Sequence, residues 1–164
     1  MIQVAFVSEC LKRLKDNGVH TTVDTAGNVP WAYFTKVLDH TDLFLYDIKS
    51  CDEQLHRQGT GAGSKRILDN ARRLAEADRP MWVRLVVIPG WNDDAADLEE
   101  RLRFTASLGD VVERADLLGY HTLGMGKYLR LGLEYALLSV PELGYRLIER
   151  TMDLGTDLGL NMCY

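Results

Sequence analysis

The chain carries only three cysteines, Cys10, Cys51 and Cys163, an odd number spread along the sequence without a Cys-x-x-Cys pair. A disulfide framework and a compact thiolate metal knuckle are thereby excluded, and free thiols in a reducing compartment are the ordinary reading. Long apolar runs are missing as well. No stretch approaches the roughly 20 residues of a membrane-spanning helix, and the opening MIQVAFVSECLKRLKD turns polar too early for a signal peptide. Nor is there an excess of positive charge: 19 Lys and Arg stand against 24 Asp and Glu, a net charge of −5, with the signs interleaved. Such a surface gives no footprint for a phosphate backbone. The expectation is a cytoplasmic protein with neither nucleic acid nor membrane as partner.

What is present is ordinary globular composition, 46% hydrophobic and 26% charged over 164 residues, enough for one domain around one core. No internal repeat or linker-like stretch divides it, so residues 1–164 read as a single domain. Val4, Val7, Leu11 and Leu14 recur at three- and four-residue spacing up to Asn17-Gly18, which predicts a helix over 4–15 closed by its glycine. A strand is expected at 19–24, a helix at 30–39 behind Asn28 and Pro30, and a strand at 43–49, whose LFLYDIK suits a buried parallel sheet. GTGAGSK at 59–65 has Ser64 where a GxGxxG loop needs its last glycine and lacks the Walker Gly-Lys-Ser/Thr; it reads as a loop with Ser64 capping a helix over 64–77. Then come a strand at 81–88 stopped by Pro89-Gly90, a helix at 94–108, a strand at 115–120, a closing helix from Pro141 to about Leu154, and a short apolar tail, LNMCY. This α/β alternation requires a parallel sheet with right-handed crossovers, either doubly wound or part of a (β/α) barrel.

In such folds ligands meet the carboxyl ends of the strands. Asp24 and Thr25 end the first strand, Asp47 and Lys49 the second, Arg84 interrupts the apolar run MWVRLVVIPGW of the third, and His121 follows the fourth. A guanidinium inside a strand is costly unless it is paired or bonded to an anion. Each residue also has a plainer reading: turn chemistry for Asp24-Thr25-x-Gly27, solvated charges for Asp47 and Lys49, an internal ion pair for Arg84, a hydrogen-bonded structural ring for His121. Four consecutive strands supplying polar groups to one rim make the plain readings jointly weaker. No His-Glu-x-x-His or Gly-x-Ser-x-Gly pattern occurs, so zinc peptidase and α/β-hydrolase chemistry have no support.

Six stretches then carry a resemblance: GVHTTVDTAG (18–27), DLFLYDIK (42–49), HRQGTG (56–61), ILDN (67–70), VRLVVIPGWND (83–93) and LLGYHTLGMGKY (117–128). Together they resemble the glycyl-radical-enzyme activases of the radical S-adenosylmethionine superfamily, of the pyruvate formate-lyase-activating type. The resemblance implies a partial (β/α)6 barrel of which this chain supplies about four βα units, the C-terminal part, without the family's CxxxCxxC loop or GGEP-like segment. It implies S-adenosylmethionine and a 4Fe–4S cluster as cofactors, the cluster cleaving the sulfonium to a 5′-deoxyadenosyl radical that takes a hydrogen from a glycine of a pyruvate formate-lyase-like partner. An electron donor such as flavodoxin is implied too. Asp24, Thr25 and Asp47, with the backbone near Leu45, match a monovalent-cation site, and Lys49, Arg84, Val86, Leu118 and His121 match positions lining the cofactor pocket.

The three cysteines match no cluster ligand of that family, so no iron–sulfur ligands and no catalytic residue are expected on this chain, which by itself would be inactive. Lacking two units, the chain would leave its first strand as an unpaired edge and expose apolar barrel interior. The competing expectation is a non-enzymatic, degenerate α/β module that keeps a nucleoside- or protein-binding surface. A small enzyme working through Asp24, Asp47, Arg84 and His121 without S-adenosylmethionine is the third.

Overall fold

Strand order decides between the two architectures that alternation alone allows. A computed structural model describes residues 2–164. Its strands are β1 (Thr22–Thr25), β2 (Leu43–Ile48), β3 (Met81–Val87), β4 (Val112–Gly119) and β5 (Met162–Cys163), and they pair side by side in chain order, all parallel. A doubly wound sheet reverses its order at a switch point, whereas an unbroken succession is the arc of a barrel. The α/β partial barrel is therefore the fold, and the tail LNMCY contributes a fifth strand to it. β1 forms one edge of the sheet, as expected.

Seven helices accompany the sheet among the described residues: α1 (Val4–Asp16), α2 (Trp31–Phe34), α3 (Glu53–Thr60), α4 (Lys65–Glu76), α5 (Ala95–Ala106), α6 (Met125–Arg130) and α7 (Tyr145–Asp157). The helix expected over 30–39 is instead the four residues of α2 and a 3-10 turn at Leu38–His40. Thr35 and Val37 are β-branched, and Phe34 and Val37 are fully buried, so the core sets the path there rather than a helical stripe. β1 starts later than position 19 because Thr21 is used otherwise: its N–H donates to Asp42 Oδ2 at 2.8 Å and its hydroxyl to the His40 carbonyl at 2.6 Å.

α3 was not foreseen. Asp52 caps it, accepting from the Leu55 N–H at 2.6 Å, and Gly61 closes it at φ 77°, so the glycine-rich run is a helix C-cap and turn. Ser64 does not cap α4. Its hydroxyl donates to the Cys51 carbonyl at 2.8 Å, and Glu53 Oε2 accepts the Lys65 N–H at 3.0 Å in its place.

Alternate side chains of the strands go to opposite faces. Val23, Phe44, Tyr46, Ile48, Val83, Leu85, Val87, Ala115 and Leu117 are buried against helix residues such as Leu11, Phe34, Ala71, Leu74, Leu98 and Leu102, in one continuous core. The opposite face carries Asp24, Leu45, Asp47, Trp82, Arg84, Val86, Arg114, Asp116 and Leu118. Its centre is thus largely charged, and among the described residues Leu118 is the one large, freely exposed apolar side chain that belongs to it; others, such as Phe6, Leu123 and Leu131, lie on helices and loops. The expectation of an exposed apolar interior holds in part: Leu45, Trp82 and Val86 are half-buried and Leu118 is exposed on this face, interleaved with the charged residues.

α1 is tied to the sheet edge through Asp42, which accepts from Lys15 Nζ at 2.5 Å as well as from Thr21. The Lys15 hydrogen bond, followed by that of the Thr21 N–H, lowers the Asp42 carboxyl to about 2. A carboxyl depressed on folding adds stability above its unfolded value and loses it as pH falls through the folded one. Asp42→Asn is therefore expected to flatten the loss of stability between pH 3.8 and about 2, read by urea denaturation at each pH. An unchanged acid limb would refute it.

Candidate functional site

The parallel register builds the site. Asp24 aligns with Leu45, Leu45 with Trp82 and Trp82 with Arg114; one pleat nearer the carboxyl ends, Asp47 aligns with Arg84, Arg84 with Asp116 and Asp116 with Cys163. Arg84 is the central member. Its Nε donates to Asp47 Oδ1 at 2.6 Å, and its Nη1 and Nη2 donate to Asp24 Oδ2 and Oδ1 at 2.9 and 2.5 Å. Lys49 Nζ donates to the other Asp47 oxygen, Oδ2, at 3.1 Å. Two carboxylates and two cations from three adjacent strands thus form one cluster, which brings these four expected residues together and is at the same time the internal ion pair of the plainer reading of Arg84. Partial burial alone would lower the Arg84 pKa, but the hydrogen bonds and charges of Asp24 and Asp47 outweigh it and raise it, so the guanidinium is firmly cationic.

The remaining expected residues are placed differently. Thr25 aligns with Tyr46, on the helix-covered side of the pleat, and its hydroxyl accepts the Gly27 N–H at 3.0 Å, which is the turn chemistry of the plainer reading. Val86 and Leu118 are register partners on the open face above Arg84. His121 stands exposed beyond β4 at the start of the 3-10 turn Thr122–Gly124, its Nδ1 accepting the Leu123 N–H at 3.4 Å, apart from the charged cluster.

Residues without an expected role hold the site from behind. Asn92 is fully buried: its side chain donates to the carbonyls of Lys49 and Val86 at 2.6 and 2.8 Å and accepts the Ile88 N–H at 2.7 Å, locking the ends of β2 and β3 together. Arg101, also fully buried, donates to the carbonyls of Val86 and Asn92 at 2.9 and 2.6 Å. Its Nε lies 2.9 Å from Asp97 Oδ2 but off the hydrogen-bonding direction, so that contact is charge against charge, while Asp97 Oδ1 accepts from the Ser50 hydroxyl at 2.7 Å. Burial lowers the Arg101 pKa and the Asp97 charge opposes it. On the other flank, Arg114 donates to Asp116 at 2.5 Å and to Cys163 Sγ at 3.1 Å and lies 4.9 Å from the Trp82 ring centre. The stretch PGWND signalled Asn92 only as a matching letter, and Arg101 looked like one more surface charge of its helix.

Three groups can be tested against these residues. An aminocarboxylate ligand such as the methionyl end of S-adenosylmethionine needs cations for its carboxylate and a carboxylate for its ammonium; Arg84 and Lys49 suit the first and Asp24, with 62% of its side chain exposed, the second, so the donor set fits provided the ligand takes Asp24 and Arg84 out of their mutual pair, one of each sign for one of each sign. A monovalent cation fits less well, because Asp24 and Asp47 already share the Arg84 guanidinium and the Thr25 hydroxyl is committed to its turn. A 4Fe–4S cluster does not fit: Cys10 is on α1, Cys51 follows β2 and Cys163 is on β5, and among the described residues no three His, Cys, Asp or Glu converge as metal ligands. Burial, then the charges of Glu100 and Asp97, push the Cys51 thiol up to about 12, which makes it a poor nucleophile at neutral pH.

Comparison with known proteins places this geometry. The Radical SAM superfamily profile matches residues 2–104. Pyruvate formate-lyase-activating enzymes of Staphylococcus aureus, strains USA300 and NCTC 8325, are 38% identical over 143 residues, covering 84% of this chain and 57% of the enzyme. The chain thus spans little more than half the length of these relatives. A crystal structure of a domain of pyruvate-formate lyase-activating enzyme from Bacteroides vulgatus superposes with a TM-score of 0.83 at 28% identity, over 99% of this chain and 91% of that one. Streptococcus suis SuiB bound to its precursor peptide SuiA shares the fold, with a TM-score of 0.71 at 16% identity over 95% of this chain and 34% of that one. With its parallel arc, its charged open face and a profile match over most of its length, the chain belongs to the radical SAM superfamily.

Proposed function

We propose that residues 1–164 form one domain, the C-terminal part of a radical SAM partial barrel, and that its open face binds S-adenosylmethionine in an activase that generates a glycyl radical on a pyruvate formate-lyase-like partner. Superfamily membership implies S-adenosylmethionine and a 4Fe–4S cluster as cofactors, and the pyruvate formate-lyase-activating relatives imply the partner. A reductant such as flavodoxin belongs to the same reading. The observation that carries it is Arg84, midway along β3 on the open face, bonded at once to Asp24 and Asp47 beside Lys49.

When bound, S-adenosylmethionine supplies the radical chemistry. The chain's own contribution is to bind and orient. Arg84 and Lys49 meet the ligand's carboxylate, Asp24 its ammonium, Asp47 keeps both cations in place, and Val86 and Leu118 offer apolar surface to the adenosine. His121, exposed beyond β4, belongs to the rim in this assignment, and Thr25 serves it from the covered side by fixing the turn that follows Asp24. A monovalent cation at Asp24, Thr25 and Asp47 would require the Arg84 fork to move aside. No step through the cluster is assigned to this chain, whose thiols lie on separate elements.

Titration calorimetry of the chain with S-adenosylmethionine tests the assignment. Arg84→Met is expected to weaken binding about tenfold or more, as loss of a bidentate charge-assisted contact does, with the far-ultraviolet spectrum unchanged. Binding that survives Arg84→Met undiminished would move the cofactor elsewhere. The separation of Cys10, Cys51 and Cys163 favours one second reading, a degenerate module that binds a nucleoside without turning it over. That reading predicts equal affinity for S-adenosylmethionine and adenosine.

A further inference from the structure

Beside the carboxyl ends of β1 and β2, outside the charged cluster, a cavity of about 610 Å³ opens between the turn leading into α2 and the junction of α3 with α4. Arg57, Lys65, Arg66 and Arg73 line it, against the two carboxylates of Glu53 and Asp69. Both carboxylates are occupied: Glu53 pairs with Arg57 at 2.7 Å and also accepts the Lys65 N–H, and Asp69 pairs with Arg72 at 3.0 Å. Lys65, Arg66 and Arg73 take part in no ion pair among the described residues, although the whole chain is acidic, with a net charge of −5. Arg66 and Arg73 are seven residues apart on α4 and so share a face, and the Arg73 guanidinium lies 5.7 Å from the ring centre of Trp31 across the groove.

We infer that this groove is a docking site for an acidic, extended segment of a partner polypeptide. Charge complementarity carries the choice of occupant. Three free cations along one open trough match a run of carboxylates better than a single compact anion, and the α4 N-terminus, which would favour a small anion, is already satisfied by Glu53. Trp31 and Asn28 form the opposite wall. The groove is built from the helices and turns and shares no residue with the proposed cofactor face, so the inference stands or falls independently of that assignment.

The experiment is fluorescence anisotropy of the chain with a labelled peptide of about ten residues alternating Glu and Gly, at about 50 mM and about 300 mM salt. Binding at low salt that weakens at high salt is expected. Arg66→Glu with Arg73→Glu should raise the dissociation constant about tenfold or more, whereas Arg130→Glu with Arg146→Glu, the same change in net charge on other helices, should change it less than about twofold. The neutral pair Arg66→Gln with Arg73→Gln should fall between. Equal losses for the groove and control pairs would reduce the effect to net charge and overturn the inference, as would absence of binding at low salt. Competition by inorganic phosphate below about 1 mM, beyond any ionic-strength effect, would overturn it in favour of a small-anion pocket.

Discussion

Replacing Arg101 by methionine is expected to destabilise the chain by about 3–5 kcal/mol, enough to leave much of it unfolded, since natural domains hold only about 5–15 kcal/mol. Arg101 is fully buried, and its guanidinium is the partner of two carbonyls and one carboxylate. Its removal strands the Asp97 charge in the core and leaves the Val86 and Asn92 carbonyls each short of a donor. The diagnostic comparison is Arg101→Met combined with Asp97→Leu. Removing both charges avoids the uncompensated carboxylate, so the double variant should recover part of the loss. Urea denaturation of the three proteins measures this, and a single-variant loss below about 1 kcal/mol would mean that Asn92 alone holds the strand ends.

Gly27→Ala has the next largest expected effect. Gly27 has φ 72°, and a Cβ built there would lie 1.8 Å from the hydroxyl oxygen of Tyr46. Tyr46 cannot yield easily, being fully buried with its hydroxyl donating to the Ile67 carbonyl at 2.6 Å. The Gly27 carbonyl in turn accepts from buried Asn70 at 2.7 Å, so the turn after Asp24 and Thr25 is fixed on two sides. Backbone strain of about 1–2 kcal/mol and displacement of a hydrogen-bonded ring should together cost about 3 kcal/mol or more. Gly18→Ala is the control: φ is also 72°, yet nothing lies within 4 Å of the added carbon. It should cost only about 1 kcal/mol. Equal melting-temperature losses for the two variants would show that the close approach to Tyr46 contributes nothing.

What was legible in the sequence follows from range. Helices α1, α4 and α5 repeat apolar residues within a turn or two, and the strands at 43–48 and 81–87 are dense apolar runs, so local pattern located them. Asp24, Asp47 and Lys49 were legible because parallel strands gather their carboxyl ends on one rim, and Arg84 because a guanidinium inside an apolar strand needs a partner. Thr25, which the resemblance groups with Asp24 and Asp47, lies on the other face of the pleat, because neighbouring strand residues go to opposite sides. α3 was missed because its residues, EQLHRQGT, bury only His56 and so show no apolar stripe. Asn92, Asp97 and Arg101 were missed because polarity in a loop or helix ordinarily signals solvent. Only tertiary packing turns these three into the backing of the site.

The unbroken strand order has a kinetic consequence. Each of β1, β2 and β3 pairs with the strand that follows it in the chain, so every early ladder closes a single crossover and contact order stays low for a parallel sheet. The sheet can therefore grow in the direction of synthesis, each unit docking on the one made before it. β5 is the exception. It reaches β4 only after the long passage through α6 and α7, and it is held there by two register pairs, Ala115 with Met162 and Asp116 with Cys163. The edge that carries Cys163 to the open face is thus expected to form last and to exchange its amide hydrogens first.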